Sequence, residues 1–123
     1  MPGLESQPLD ANASGVQKEK TIEDYFQGRW LASFDIQGKR FTPVVEVKDG
    51  GKWYEDGVFH FNVVGFSDKE IYEGYTMLNF KKIKAGQNYV IVSRLKVDSD
   101  GMRISGVEQN SRYGQTGVVF TKF

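Results

Sequence analysis

One histidine, no cysteine and a scatter of carboxylates define the chemistry open to this chain. His60 lies in the apolar run Val58-Phe59-His60-Phe61-Asn62-Val63-Val64, and any Ser-His-Asp arrangement would have to use it. The candidate nucleophiles Ser33, Ser67, Ser93, Ser105 and Ser111 all lack the G-x-S-x-G elbow that exposes a reactive hydroxyl. As a zinc ligand His60 would have only carboxylates for company, and thiolate sites, disulfides and cysteine nucleophiles are excluded outright. The simpler expectation is a strand histidine bonded to a neighbour or facing solvent. Asp98-Ser99-Asp100-Gly101 matches the opening of a calcium loop, but the later acidic ligand and the distal bidentate glutamate are missing. Aspartates bonding their own backbone in a turn account for it, and Glu55-Asp56 reads the same way. Glu73 would suit a general acid if its strand face pointed inward among aromatics. One acid without a base, nucleophile or metal is no mechanism, so an enzyme using Glu73 or His60 ranks below a non-enzymatic binding protein.

No cofactor or metal is expected. Gly50-Gly51 joins strand to strand and offers no helix N-terminus to a phosphate. Sixteen basic residues balance sixteen acidic ones, so no overall field gathers phosphate or anionic lipid. The densest basic cluster, Lys81, Lys82 and Lys84 beside a turn, reads as a solvated loop edge. Tyr72, Tyr75, Tyr89 and Arg94 are the residues an oligonucleotide platform would use. Core and cross-strand pairing is their simpler role, and no nucleic-acid partner is expected. No stretch approaches the ~20 apolar residues of a membrane span, and residues 1–20 lack the apolar core of a signal peptide.

These side chains need a scaffold, and its period is legible. Residues 1–20 carry isolated Leu4, Leu9 and Val16 among Gly, Ser, Pro and charges, which reads as a flexible polar tail or tether. The expected localisation is a bacterial periplasm or cell envelope, with the leader removed and a lipid anchor upstream; the cytoplasm is the alternative. Thr21 caps a helical turn, Ile22 to Phe26, which Gly28 ends. Beyond it the pattern alternates with period two. Strands are expected at Trp30–Ile36, Phe41–Lys48 with an edge or bulge at Pro43, Lys52–Glu55, Val58–Phe66, Ile71–Ile83, Asn88–Val97, Met102–Gln109 and Val118–Phe123. Asp49-Gly50-Gly51, Asp56-Gly57, Ser67 to Glu70, Lys84 to Gln87 and Asp98 to Gly101 are the turns. Phe59, Phe61 and Val63 should share one face. A single all-β domain over residues 21–123 follows: an up-and-down antiparallel barrel of about eight strands, since closure removes exposed edges where no long helix covers a face. A two-sheet sandwich is the alternative.

The segment Phe26-Gln27-Gly28-Arg29-Trp30 resembles the G-x-W opening of lipocalin-like (calycin) barrels, in which a helical turn precedes a first strand whose Trp plugs one end. The chain departs from them in its short length, in lacking a second family motif and in having neither a C-terminal helix nor a helical lid. The resemblance implies a small hydrophobic ligand inside the barrel, lined by Trp30, Phe34, Tyr75, Met77 and Arg94. It also implies a late arginine, Arg112 or Arg94, laid across the Trp30 ring. If large aromatics fill the barrel, a protein-interaction role is expected instead: an inhibitor, pilotin or accessory factor contacting its partner through Arg112 and Tyr113 in the loop Asn110 to Gly117.

Overall fold

The computed structural model describes residues 19–72, 74–84 and 86–123. The expected tail lies outside the described residues except for Glu19 and Lys20, which are exposed and irregular. Thr21 caps the helical turn α1 (Ile22–Tyr25) through a reciprocal box with Asp24: the Thr21 side chain accepts from the Asp24 N–H, and the Asp24 carboxylate accepts from the Thr21 N–H. Gly28 then takes φ +83°, a left-handed turn that aims the chain into the first strand.

Nine strands follow: β1 (Trp30–Ile36), β2 (Lys39–Phe41), β3 (Val44–Lys48), β4 (Lys52–Glu55), β5 (Val58–Tyr72), β6 (Tyr75–Ile83), β7 (Val90–Val97), β8 (Arg103–Asn110) and β9 (Gly114–Lys122). Each pairs antiparallel with its neighbour, and β1 pairs with β9 from Trp30↔Lys122 to Phe34↔Val118, so the sheet closes. The result is an eight-stranded barrel with β2 as an extra strand on the outer half of β1. Pro43, which has no N–H to give the ladder, breaks what would be one strand into β2 and β3.

β5 departs from the expected pattern. Trp53 pairs with Phe61 and Tyr54 with Phe59, leaving His60 as an extra bulged residue. Across that bulge the alternation slips, so Phe61 is buried while Phe59 is exposed and packs on Tyr54; the two do not share a face. Two more irregularities, at Gly65-Phe66 and at Ile71, bend the strand further. The polar run Ser67 to Glu70 is no turn. It belongs to β5, and the chain reverses at Gly74 (φ +78°), where a Cβ would also lie 2.9 Å from that of Ser99. The expected strand Ile71–Ile83 is therefore split between two antiparallel strands. The loop expected from Asn110 to Gly117 is a tight turn at Ser111–Tyr113, because β9 starts at Gly114.

The α1 end of the barrel is sealed by aromatic rings. Phe26 meets Trp30, Trp53 and Phe120 edge-on with centroids 5.2–5.5 Å apart, an arrangement that aromatic quadrupoles favour. All four rings are buried. Glu23 ties the helical turn to the β3–β4 turn by accepting from the Gly50 N–H at 3.0 Å.

A candidate binding cup at the open end of the barrel

Above the aromatic seal the interior opens into a cavity of about 270 Å³. Phe34, Phe41, Trp53, Phe61, Tyr89 and Phe120 supply its aromatic walls. The extra strand matters here, because Phe41 on β2 stacks on Phe34 of β1 at 5.7 Å and raises the rim.

Polar groups enter the cup at two levels. Deep in the wall, Lys82 on β6 is 3% exposed and places its Nζ 2.8 Å from Glu108 Oε2 on β8. Ser93, between them on β7 and directly opposite Glu108, donates its hydroxyl to the same oxygen at 2.7 Å. The Lys82 ammonium also lies 4.2 Å from the centroid of the Trp53 ring, so both its charge and its stem are accommodated. Buried charges are tolerated only when paired and hydrogen-bonded, and this trio meets that condition. Beside it Asn110 donates to the Tyr89 hydroxyl at 2.8 Å and accepts from the N–H groups of Arg112 and Tyr113, which fixes the β8–β9 turn. At the rim stand Glu55, His60 and Lys84. Glu55 accepts from the Trp53 indole N–H at 3.1 Å and lies 3.9 Å from His60 Nδ1. Lys84 sits 5.5 Å from the Phe61 ring and has no carboxylate partner among the described residues.

Of the residues expected to line a ligand, Phe34 does. Trp30 is inside the barrel and fully buried, but it belongs to the seal, with its indole N–H donating to Gln27 O. Tyr75, Met77 and Arg94 are on the outer surface. In β6 it is Leu78, Phe80 and Lys82 that point inward, and the register Met77↔Lys96 and Asn79↔Arg94 puts the odd-numbered residues of β6 and the even-numbered residues of β7 outside. Neither candidate arginine covers Trp30. Lys122, its partner across β1 and β9, does so at 5.7 Å, while Arg112 lies 4.3 Å over Tyr89 and bonds Gln87. Tyr113 is exposed on the same turn. Glu73 lies outside the described residues.

Lys82 is the largest departure at the site: it was expected in a solvated loop edge and is instead in the wall of the cup. Trp53, Glu108 and Asn110 were also not expected there. A signal existed, since Glu108 and Asn110 alternate with Ile104 and Gly106 on the inward side of β8, but it becomes readable only once the strand register is known. Among the described residues no group of three His, Asp or Glu side chains is placed to hold a metal ion, and no helix is long and apolar enough to cross a membrane. Neither a family model, nor a curated protein, nor a solved structure matches the chain.

Proposed function

We propose that the chain is a non-enzymatic binding protein of lipocalin-like design, holding a small, mostly apolar ligand in the cup. The carrying observation is the cavity: a concave, aromatic-walled space with a few polar groups at defined places is what ligand sites consist of. Its volume falls just under the ~300 Å³ where drug-sized sites begin, so the ligand is compact, on the scale of a fused aromatic ring pair. The deep charge on Lys82 is already met by Glu108, so the wall asks for no ion. Lys84 at the rim is the open cation, which favours a ligand whose acidic group faces the mouth. The histidine and the buried serine support this reading over catalysis. The Ser93 hydroxyl is turned to a carboxylate that already holds a lysine, and His60 lies near Glu55 rather than near a nucleophile.

Native mass spectrometry of the purified protein and calorimetric titration with naphthoate and naphthalene test the proposal. The expected result is a co-purified molecule or a single site for naphthoate. Ile91→Phe, which fills the cup, and Phe34→Ala, which removes a wall, should each weaken binding about tenfold or more. Lys84→Met should weaken naphthoate and spare naphthalene. A protein that carries nothing and takes up neither probe, or one whose binding ignores Ile91→Phe, would overturn it.

A further inference from the structure

The outer surface of the barrel is electrically divided, although the chain is neutral. On the face built by β1 to β4, two cations sit beside carboxylates, Arg40 with Asp35 and Lys48 with Glu46, while Lys39 lies over the Phe41 ring and Lys52 donates to Asp49 O. On the face built by the far half of β5 with β6, β7 and β8, the outward residues include Lys69, Lys81, Arg94, Lys96 and Arg103. None of these five has a carboxylate within ion-pair distance among the described residues. Asp68 and Glu70 alternate onto the other side of the β5–β6 hairpin, opposite Leu78 and Thr76, and Asp68 is taken by the Tyr25 hydroxyl. Asp98 and Asp100 lie past the end of β7, beside Arg103, so the uncompensated charge centres on Arg94 and Lys96.

The same face presents aromatic surface. Tyr72 and Tyr75 close the β5–β6 hairpin as a cross-strand pair with centroids 4.7 Å apart; Tyr72 is 54% exposed, and Lys96 lies 5.1 Å from the Tyr75 ring. Asn79, Ser105 and Gln109 add hydrogen-bonding groups between the cations.

We propose that this face binds single-stranded nucleic acid, with the tyrosine pair stacking on bases and the cations of β6 and β7 holding successive phosphates. Cations along a backbone track, next to an exposed aromatic platform, are the two parts sequence-independent single-strand binding requires. Shape decides against the other polyanions. A bilayer or a stiff duplex touches a narrow cylinder along one line, so cations on three successive strands would turn away from it, whereas a flexible strand follows the curve. The sequence shows no basic run because these residues come from separate strands; the fold gathers them. The inference is independent of the cup, which is lined by the inward side chains of these strands, whereas this face is formed by their outward ones.

Fluorescence anisotropy of a labelled oligothymidylate, titrated from low to high salt, tests it, with a duplex and phosphatidylserine vesicles as parallel arms. Binding to the single strand should be tightest and should weaken with salt. Arg94→Gln and Lys96→Gln should each lower the log–log salt slope by about 0.7. Tyr72→Ala should weaken binding about tenfold with the slope unchanged. Lys48→Gln, on the opposite face, should leave binding as it was. All these side chains are on the surface, and circular dichroism verifies that the variants fold. Absence of binding at low salt, tighter binding to vesicles or duplex, or full binding by the Arg94→Gln/Lys96→Gln double variant would overturn the proposal.

Discussion

Lys81 and Lys82 are consecutive on β6 and live in opposite worlds. Lys82 points into the barrel, where a carboxylate, a serine hydroxyl and an indole ring surround or support its charge. Lys81 points to water, next to Val64 and Val92 on the neighbouring strands and with no ion-pair partner among the described residues. The inner face of the strand thus treats charge as a structural element that must be fully met, while the outer face leaves charge available to something that arrives from solution. The same amino acid is built into the packed wall on one side and stays solvated on the other.

The strongest way to break that contrast is to remove one half of the inner pair. Lys82→Met should destabilise the fold by about 3–5 kcal/mol in urea unfolding, because Glu108 is left buried without its counter-charge. Adding Glu108→Leu should recover much of that loss, since an apolar pair avoids the desolvation penalty, although Ser93 then lacks an acceptor. A loss under about 1 kcal/mol for the single variant would mean the pair is not sequestered. Next in size is Gly106→Ala on the inward side of β8. Its Cβ would fall 2.2 Å from the Arg94 carbonyl oxygen, and the neighbour is backbone, so a loss of about 3 kcal/mol is expected by thermal or urea denaturation.

The sealed end of the barrel offers a milder test through pH. Burial first, and then the hydrogen bond to Asp68, push the Tyr25 hydroxyl well above the ordinary tyrosine pKa. A raised folded-state value means its contribution is complete below about pH 10 and is lost above it, because the unfolded chain ionises first. The unfolding midpoint of the wild-type protein should therefore fall more steeply above pH 10 than that of Tyr25→Phe. Smallest of all, Lys81→Ala should shift stability by no more than about 0.5 kcal/mol, which equilibrium unfolding would register as no change beside Lys82→Met.

The contrast also marks where sequence reading reached its end. Period-two alternation and the Asp-Gly turns were enough for the strands and for closure into a barrel, and the Thr21 cap and Gly28 turn were legible residue by residue. The β5–β6 reversal was misplaced because Ser67 to Glu70 are polar for another reason: they lie on a hairpin that stands in solvent on both sides. Polarity reports exposure, whereas reversal needs a backbone that can take positive φ, which Gly74 supplies. The inward face of β6 was misread because each parity carries a plausible core set, Tyr75 with Met77 or Leu78 with Phe80, and a lysine argues for the outside unless its partner is known. That partner lies two strands away, and the register joining them is a tertiary fact.

The kinks of β5 have one more consequence. Beyond the stretch that β4 covers, Val64 to Tyr72 has no strand on its outer edge among the described residues, which leaves a row of peptide groups without a strand partner. A straight edge of that length would invite another chain to zip alongside and seed fibres. Extra residues at Gly65-Phe66 and Ile71 throw those groups out of step, so an incoming ribbon could match only a few at a time, and the seam stays open without templating a long ladder.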